Sequence, residues 1–506
     1  MLLALLLACQ RPASPAQVDL TQPSSNCPFS RLLTLTFEEP TSLVGTATDG
    51  EHVRSFDRPP ATVHELELPG LYADREWTIE LTSKTPSEGS VPIDPIVFHT
   101  AAVGPNFPEI DVRVRQVQRM EPGLTLLPLT SVGTARYLAV LDDLGELVWL
   151  YSVPNERFLE VRLEGDRLLA HHDNEILILD WLGRIYGDWT SSGAEEARGI
   201  AIDAQELHHE LRRTETGNFL TMTQNPADLP ALPSSELVPY ELVPTTVVGD
   251  ELIEVEPETG AIANRWRMVD ILDPQRIGYD SLNQLPGGVD WTHVNAVEDD
   301  AAANAWVVSV RHQDAVVSFD KTTLEVNWIA GNHANWHEPW ASALLEPVGD
   351  DPGWFWHQHG IKWRPEDGNL LLFDNGNHRA APFTPDVPLS GGATWSRVAE
   401  YHIDQQARTI ERTWTFDLDP AVYSSAMGDA DHLPNGNVLA TYAFVFWEGH
   451  VSNPELGRSS PSLRVVEIDP KSNEVVWDLD AWGPDTPHTP WQTFRSTRIP
   501  SFDVEE

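Results

Sequence analysis

Eighteen histidines occur in the 506 residues, and many stand at the start of a recurring strand unit or in its loops: His208-His209, His293, His312, His357, His359, His378 and His450. Imidazole gives and takes protons near neutral pH, and its uncharged form is a competent nucleophile. Arg379, which closes the run FDNGNHR, adds a planar guanidinium fork of the kind that grips oxyanions. Residues this far apart in sequence meet only if the fold brings loops of many units to one place, so the chemistry requires convergence. His357-x-His359 on a strand would put both rings on one face, a spacing that metal ligands use. With no cysteine or third histidine near in sequence, no metal is expected there. Asp299-Asp300 and Asp350-Asp351 read as solvated turns rather than calcium ligands, and His312, beside Arg311 in SVRHQ, as a supporting residue.

The elements that must position these side chains repeat. Beyond Gly104, one strand is built on Gly-Asn-x-Leu or a near relative, at Gly165–Leu168, Gly217–Leu220, Gly368–Leu371 and Gly436–Leu439. A second carries Trp after a turn, at Trp149, Trp189, Trp266, Trp328, Trp414 and Trp477, about 40 to 85 residues apart with the excess in Pro- and Asp-rich loops. A strand pair ending in a recurrent Trp is the signature of β-propeller blades, whose innermost strands converge on a central channel. Six copies predict six blades over 105–500, with QTFRSTRI (492–499) as an extra strand that pairs with the first. The Trp series is read as core.

Upstream the pattern differs. Residues 27–104 hold short alternating runs separated by Asp49-Gly50, Pro59-Pro60 and Pro69-Gly70, the pattern of an immunoglobulin- or fibronectin-like β-sandwich. The fold class expected is therefore all-β. Residues 10–26, polar with three prolines, read as a tether. Residues 1–9 end in Leu6-Leu7-Ala8-Cys9, which resembles a bacterial lipobox, so Cys9 is the expected lipidation site and the cell envelope or periplasm the expected location. Cys27 is then a lone thiol, read as buried and structural.

With 77 acidic against 33 basic residues the net charge is −44, which repels phosphate backbones and anionic headgroups and argues against nucleic acid as a partner. Only four of the basic residues are Lys, so most positive charge is carried by Arg.

The segments DWTHVNAV (290–297), WVVSVRHQDAVVSFD (306–320), WHQHGIKW (356–363), LLLFDNGNHR (370–379) and YSSAMGDADHLPNGNVLA (423–440) together resemble the bacterial aryl-sulfate sulfotransferases. The resemblance implies a six-bladed propeller that moves a sulfuryl group from a phenolic sulfate ester to a phenol, without a cofactor, by a ping-pong route through a sulfohistidine. It implies His293, His359 and Arg379 as catalytic residues and His450, in FWEGHVSN, as the nucleophile; His209, Asn295 and Asn375 are expected to bind substrate beside them. The residue types suit the reaction. Sulfuryl transfer spreads charge over three oxygens, as phosphoryl transfer does, and needs fixed cationic donors more than a strong base. Two other classes stay open on the sequence: a quinone-dependent or hydrolytic propeller, and a propeller lipoprotein that binds an anionic ligand without turnover.

Overall fold

Strand Glu76–Thr85 shows the rule that builds the first unit: inward and outward residues alternate along it, with Trp77, Ile79 and Leu81 buried and the residues between them facing out. The computed structural model describes residues 14–85, 89–131, 135–153, 158–194, 198–236, 240–278, 281–349, 353–377, 395–418, 422–448, 451–452, 461–483 and 491–502. These are overwhelmingly β, broken by short 3-10 turns. The chain divides into two compact units. One holds 1–105 with Glu146–Ser152 and Asp180–Arg184, and the other holds the remainder.

In the first unit, Gln17–Thr21, Arg31–Thr48, Val53–Leu68, Glu76–Thr85, Gly89–Pro92 and Ile96–His99 join in a single hydrogen-bonded sheet around Leu33, Leu35, Leu66 and Trp77. Two separate sheets do not form, because Arg31–Thr48 runs through both halves. Its first part pairs with Gln17–Thr21 and its second with Glu76–Thr85, while Val53–Leu68 follows it along its length. Register shifts between Thr36 and Leu43 bend it, and His64 Nε2 meets the Thr41 carbonyl at the bend, 2.6 Å away. Gln17–Thr21 is thus a strand inside the stretch read as tether, held by Leu20 against the core. Cys27 is fully buried beside Ser30 and the Trp181 carbonyl, and burial pushes its thiol up to about 12. Gly183, at φ +77°, passes so close that a Cβ there would meet Cys27 and Ser24 at under 3 Å.

Apart from a small sheet of Ala227–Pro233, Leu242–Val247, Gln284–Leu285 and Gly288–Val289, which interrupts the strand order of its neighbour, the second unit is a succession of mainly antiparallel sheets. They begin at Phe158–Glu164, His208–Arg213, Val294–Asp300, His359–Arg364 and Asp429–His432. A further sheet pairs Leu124–Ser131 with Ala135–Leu141 and with two segments from the far end of the chain, Trp491–Gln492 and Thr497–Ile499. The stretch read as one closing strand is therefore two, and the residues between them turn inward. Glu109–Arg115 pairs with Glu474–Trp482, again joining early chain to late. Apolar cores lie between successive sheets: Ile176 with Phe219, Leu252 with Val308, Val316 with Leu372, and Leu371 with Val466.

The recurrent Trp side chains have a common task. Trp189 Nε1 donates to Pro257 O at 2.6 Å, Trp266 to Lys321 O at 2.8 Å, Trp414 to Asn473 Oδ1 at 3.1 Å and Trp477 to Asp143 O at 3.0 Å. Each acceptor lies in a turn of the neighbouring sheet. Each of these four indoles buries a large apolar face and spends its one donor on that turn.

Candidate functional site

The first strands of the successive sheets pack side by side, Leu124–Ser131 against Phe158–Glu164, then His208–Arg213, Val294–Asp300, His359–Arg364 and Asp429–His432. Four of them begin irregularly, Phe158–Glu164 with a shift between Phe158 and Glu160 and three others at their histidines. Their register shifts between His208 and Leu211, between Val294 and Ala296, and between His359 and Lys362. His209, His293 and His357 hold left-handed backbone, with φ of 57°, 48° and 51°. Bulges and positive φ cost energy and re-aim side chains, and here they gather at the heads of the strands that bring the imidazoles together.

His209 and His293 ring centroids lie 5.2 Å apart, His293 and His312 4.7 Å, and His312 and His357 5.7 Å. Phe494 abuts His209 at 5.5 Å and His359 at 6.5 Å. His293, His359 and His209 therefore share one neighbourhood. Asn375 belongs to it as well, but facing the protein: its side-chain oxygen lies 2.7 Å from His359 Nδ1, while its amide donates to Ser424 O and Met427 O, each at 2.8 Å. Asn295 is fully buried and donates to the Gln358 carbonyl at 2.7 Å, bracing the chain just before His359. Arg379, His450, His378 and Cys9 lie outside the described residues.

The partners assign the ring protons. His359 Nδ1–H donates to Asn375, and His359 Nε2 accepts from Met427 N–H at 3.3 Å, so the lone pair of this ring is on Nε2. His293 Nδ1–H donates to Asp290 Oδ2 at 2.6 Å, which leaves Nε2 as its free corner. Arg311 Nη1 donates to His312 Nε2, and His312 Nδ1–H donates to the Asp290 carbonyl. Asp290, His293 and His312 offer ligand atoms within 4.8 Å of one another, the spacing of a metal site. His293 Nδ1 and both ring nitrogens of His312 are committed to hydrogen bonds, and the Arg311 charge sits against the same ring, so although His293 Nε2 and Asp290 Oδ1 stay open, the donor set suits a hydrogen-bonded cluster better than a cation. The metal-like reading of His357-x-His359 fails on geometry. The strand begins only at His359, and His357, turned by its left-handed backbone, packs toward His312 and Asp314.

Burial holds His209, His312 and His359 well below the ordinary imidazole pKa, assisted by neighbouring imidazoles at His209 and by Arg311 at His312 and His359. These rings are uncharged at neutral pH. Burial also lifts Asp314 to about 7. His293 is partly open to solvent, with 28% of its side chain exposed.

The same inner strands carry a second, ionic layer. Arg495 meets Glu160 at 2.9 Å and Glu210 at 3.3 Å, Arg162 meets Glu210 at 2.6 Å, Arg212 grips both oxygens of Glu298, and Lys362 lies 3.2 Å from Asp429 and 3.0 Å from Asp431. Sequence reasoning assigned no role to Asp290, Arg311, Phe494 or Arg495. Only Asp290 left a trace, as the acid three residues before His293. A separate groove of about 410 Å³, lined by Asp270, Ile271, Leu324, Glu325 and Trp340, shares no residue with the histidines.

Residues 110–487 match the family model described as Arylsulfotransferase (ASST). The arylsulfate sulfotransferase AssT of Escherichia coli is 26% identical over 290 residues, covering 47% of this chain and 46% of that protein. Its counterpart from Lelliottia amnigena is 25% identical over 285 residues, covering 46% and 45%. The chain thus spans about half the length of the curated relatives it matches. Among solved structures, a putative 6-phosphogluconolactonase from Bacteroides uniformis aligns over 91% of this chain and all of that one, at 10% identity and a TM-score of 0.32, which carries no argument.

Proposed function

The chain belongs to the arylsulfotransferase family, and from that premise we propose that it moves a sulfuryl group from a phenolic sulfate ester to a phenol through a sulfated histidine. The observation that carries this reading is His359, an uncharged ring whose Nδ1–H is committed to Asn375 and whose lone pair lies on Nε2, where the long 3.3 Å contact from Met427 N–H has to give way for attack. In the first step Nε2 attacks sulfur. The N–S bond forms as the S–O(aryl) bond breaks, and the electron pair leaves with the phenolate oxygen, which takes a proton from His293. In the second step the acceptor phenol returns that proton to His293 while its oxygen attacks sulfur, the N–S bond breaks and neutral His359 is restored.

Charge on the three sulfuryl oxygens is met by Arg311 and, in this proposal, by Arg379, which follows Asn375 in FDNGNHR. His209 lines the substrate space beside His293, and Asn295 and Asn375 hold the chain and ring of the nucleophile. His359 is preferred to His450 because contacts within the cluster fix its tautomer and keep it uncharged; sulfation of His450 is the competing outcome. The reactants are small phenolic molecules, and no cofactor enters the scheme.

The same proposal reads the successive sheets as six blades of a propeller following the single-sheet amino-terminal unit. The order of the inner strands, the Trp bonds to neighbouring turns and the pairing of both chain ends with distant strands support it. It further places the protein in the bacterial envelope, anchored through Cys9, so Cys9→Ser should release it from membranes.

The test of the reaction is a burst experiment. Mixed with a chromogenic aryl sulfate and no acceptor, the protein should release phenolate stoichiometric with itself and then stop, and added phenol should restore turnover. Steady release without acceptor would make it a hydrolase, and binding without release a binding protein.

A further inference from the structure

We propose that Asp290 is the positioning residue of the transfer, acting through His293 by holding that ring as its Nδ1–H tautomer with Nε2 presented to the phenolic oxygen. The proposal rests on the reaction proposed above, but the geometry behind it does not. Asp290 is 4% exposed, and its Oδ2 lies 2.6 Å from His293 Nδ1, while the ring it holds is partly open to solvent. The spacing Asp290-x-x-His293 would suit a helix, yet no helix is present. The left-handed backbone of His293, at φ 48°, folds the ring back onto the carboxylate instead.

Two further contacts make the carboxylate a fixed point rather than a mobile acceptor. The Asp290 backbone N–H donates to the Asn283 carbonyl at 2.9 Å, and the Asp290 carbonyl receives His312 Nδ1–H. Asp290 Oδ1 is buried with no hydrogen-bond partner among the described residues, so the group's stabilisation is concentrated on Oδ2 and the proton it faces. A buried carboxylate in that position does two things for an imidazole. It selects which nitrogen carries the resting proton, and it stabilises the imidazolium formed when the other nitrogen takes up a second one. His293 must be an imidazolium before it protonates the departing phenolate and must become one again when the acceptor phenol yields its proton. Asp290 touches neither sulfur nor phenol, so its effect passes entirely through the ring.

This role predicts an uneven defect. A nitrophenolate leaves without help, whereas an alkylphenolate needs the proton. Asp290→Ala and Asp290→Asn should therefore slow adduct formation little with 4-nitrophenyl sulfate and by about 100-fold or more with an unactivated aryl sulfate, within the usual span of general acid catalysis. Asp290→Glu should restore part of the loss. Nitrogen-15 spectra of labelled protein should show His293 as the Nδ1–H tautomer in the wild type and lose that preference in Asp290→Ala, with thermal melts confirming that the variants fold. An equal slowing of activated and unactivated donors, or an Nε2–H ring in the wild type, would overturn the proposal. Failure of wild-type protein to form any sulfo adduct would instead overturn the reaction, and the tautomer measurement would still decide whether Asp290 sets the ring. If Asp290→Ala proves unfolded, the isosteric Asp290→Asn carries the donor comparison alone.

Discussion

The same inner strands carry two layers of opposite character. At their heads stand imidazoles that burial keeps uncharged, His209 and His359, with His293 open to solvent. One to three residues further along two of these strands, and five along a third, stand charges that are paired and mostly withdrawn from solvent: Glu210 and Arg212 after His209, Glu298 after His293, and Lys362 after His359. Arg495 joins Glu160 and Glu210 from the far end of the chain. In the ionic layer each charge is answered, so it can hold shape but has nothing left to offer a substrate. In the imidazole layer the rings keep lone pairs and the charge of Arg311 lies nearby, which suits an anionic substrate and a proton that must move. Folding cost and chemical capacity are thus separated along a few residues of strand.

Substitutions should pull the layers apart. The largest effect is expected from His359→Ala, which should abolish both turnover and the sulfo adduct, because no neighbouring group supplies the bond that Nε2 makes. Emptying this buried site and leaving the Asn375 oxygen unpaired should also lower stability by about 2 to 4 kcal/mol in urea unfolding. Arg311→Ala should keep the adduct on the same residue but slow its formation by about 100- to 1000-fold, the usual cost of one oxyanion donor. Glu210→Gln should do the reverse. Leaving buried Arg495 and half-buried Arg162 with a lost partner should destabilise the fold by about 3 kcal/mol in urea unfolding, with the site of sulfation unchanged in whatever protein remains folded.

A smaller effect should appear in the dependence of stability on pH. Unfolded imidazoles take up protons as pH falls below about 6.5, whereas folded His209, His312 and His359 resist until well below that value. The unfolded chain then binds more protons than the folded one, so this stability is complete above about pH 6.5 and declines as the pH drops under it. Urea midpoints measured on either side of neutrality should show the decline, and His312→Gln should make it shallower.

Much of this was legible in residues whose signal is local. The recurrent Trp and Gly-Asn strands marked the sheets, and His209, His293 and His359 announced themselves by standing at strand heads. The rest depended on distance or on backbone that sequence patterns do not encode. Glu210 and Arg495 are 285 residues apart, and nothing in QTFRSTRI says that its middle turns inward between two short strands. Arg311 sits in a three-residue 3-10 turn closed by left-handed Asp314, where neither helical nor strand periodicity reports which way a side chain points. His357 escapes a strand-period reading for the same reason, since the strand begins only at His359. Within the first unit, short alternating runs were visible, but the eighteen-residue strand that merges them into one sheet was not, because Pro40 and the bulges around Thr41 break its alternation.

The measurement that tests the account most directly is the location of the sulfo group. The protein, mixed with an aryl sulfate in the absence of acceptor and mapped by peptide mass spectrometry, should carry it on His359, and a phenol added before digestion should remove it. Sulfation at His450, or turnover with no sulfated histidine at all, would contradict the assignment of the nucleophile to the uncharged layer.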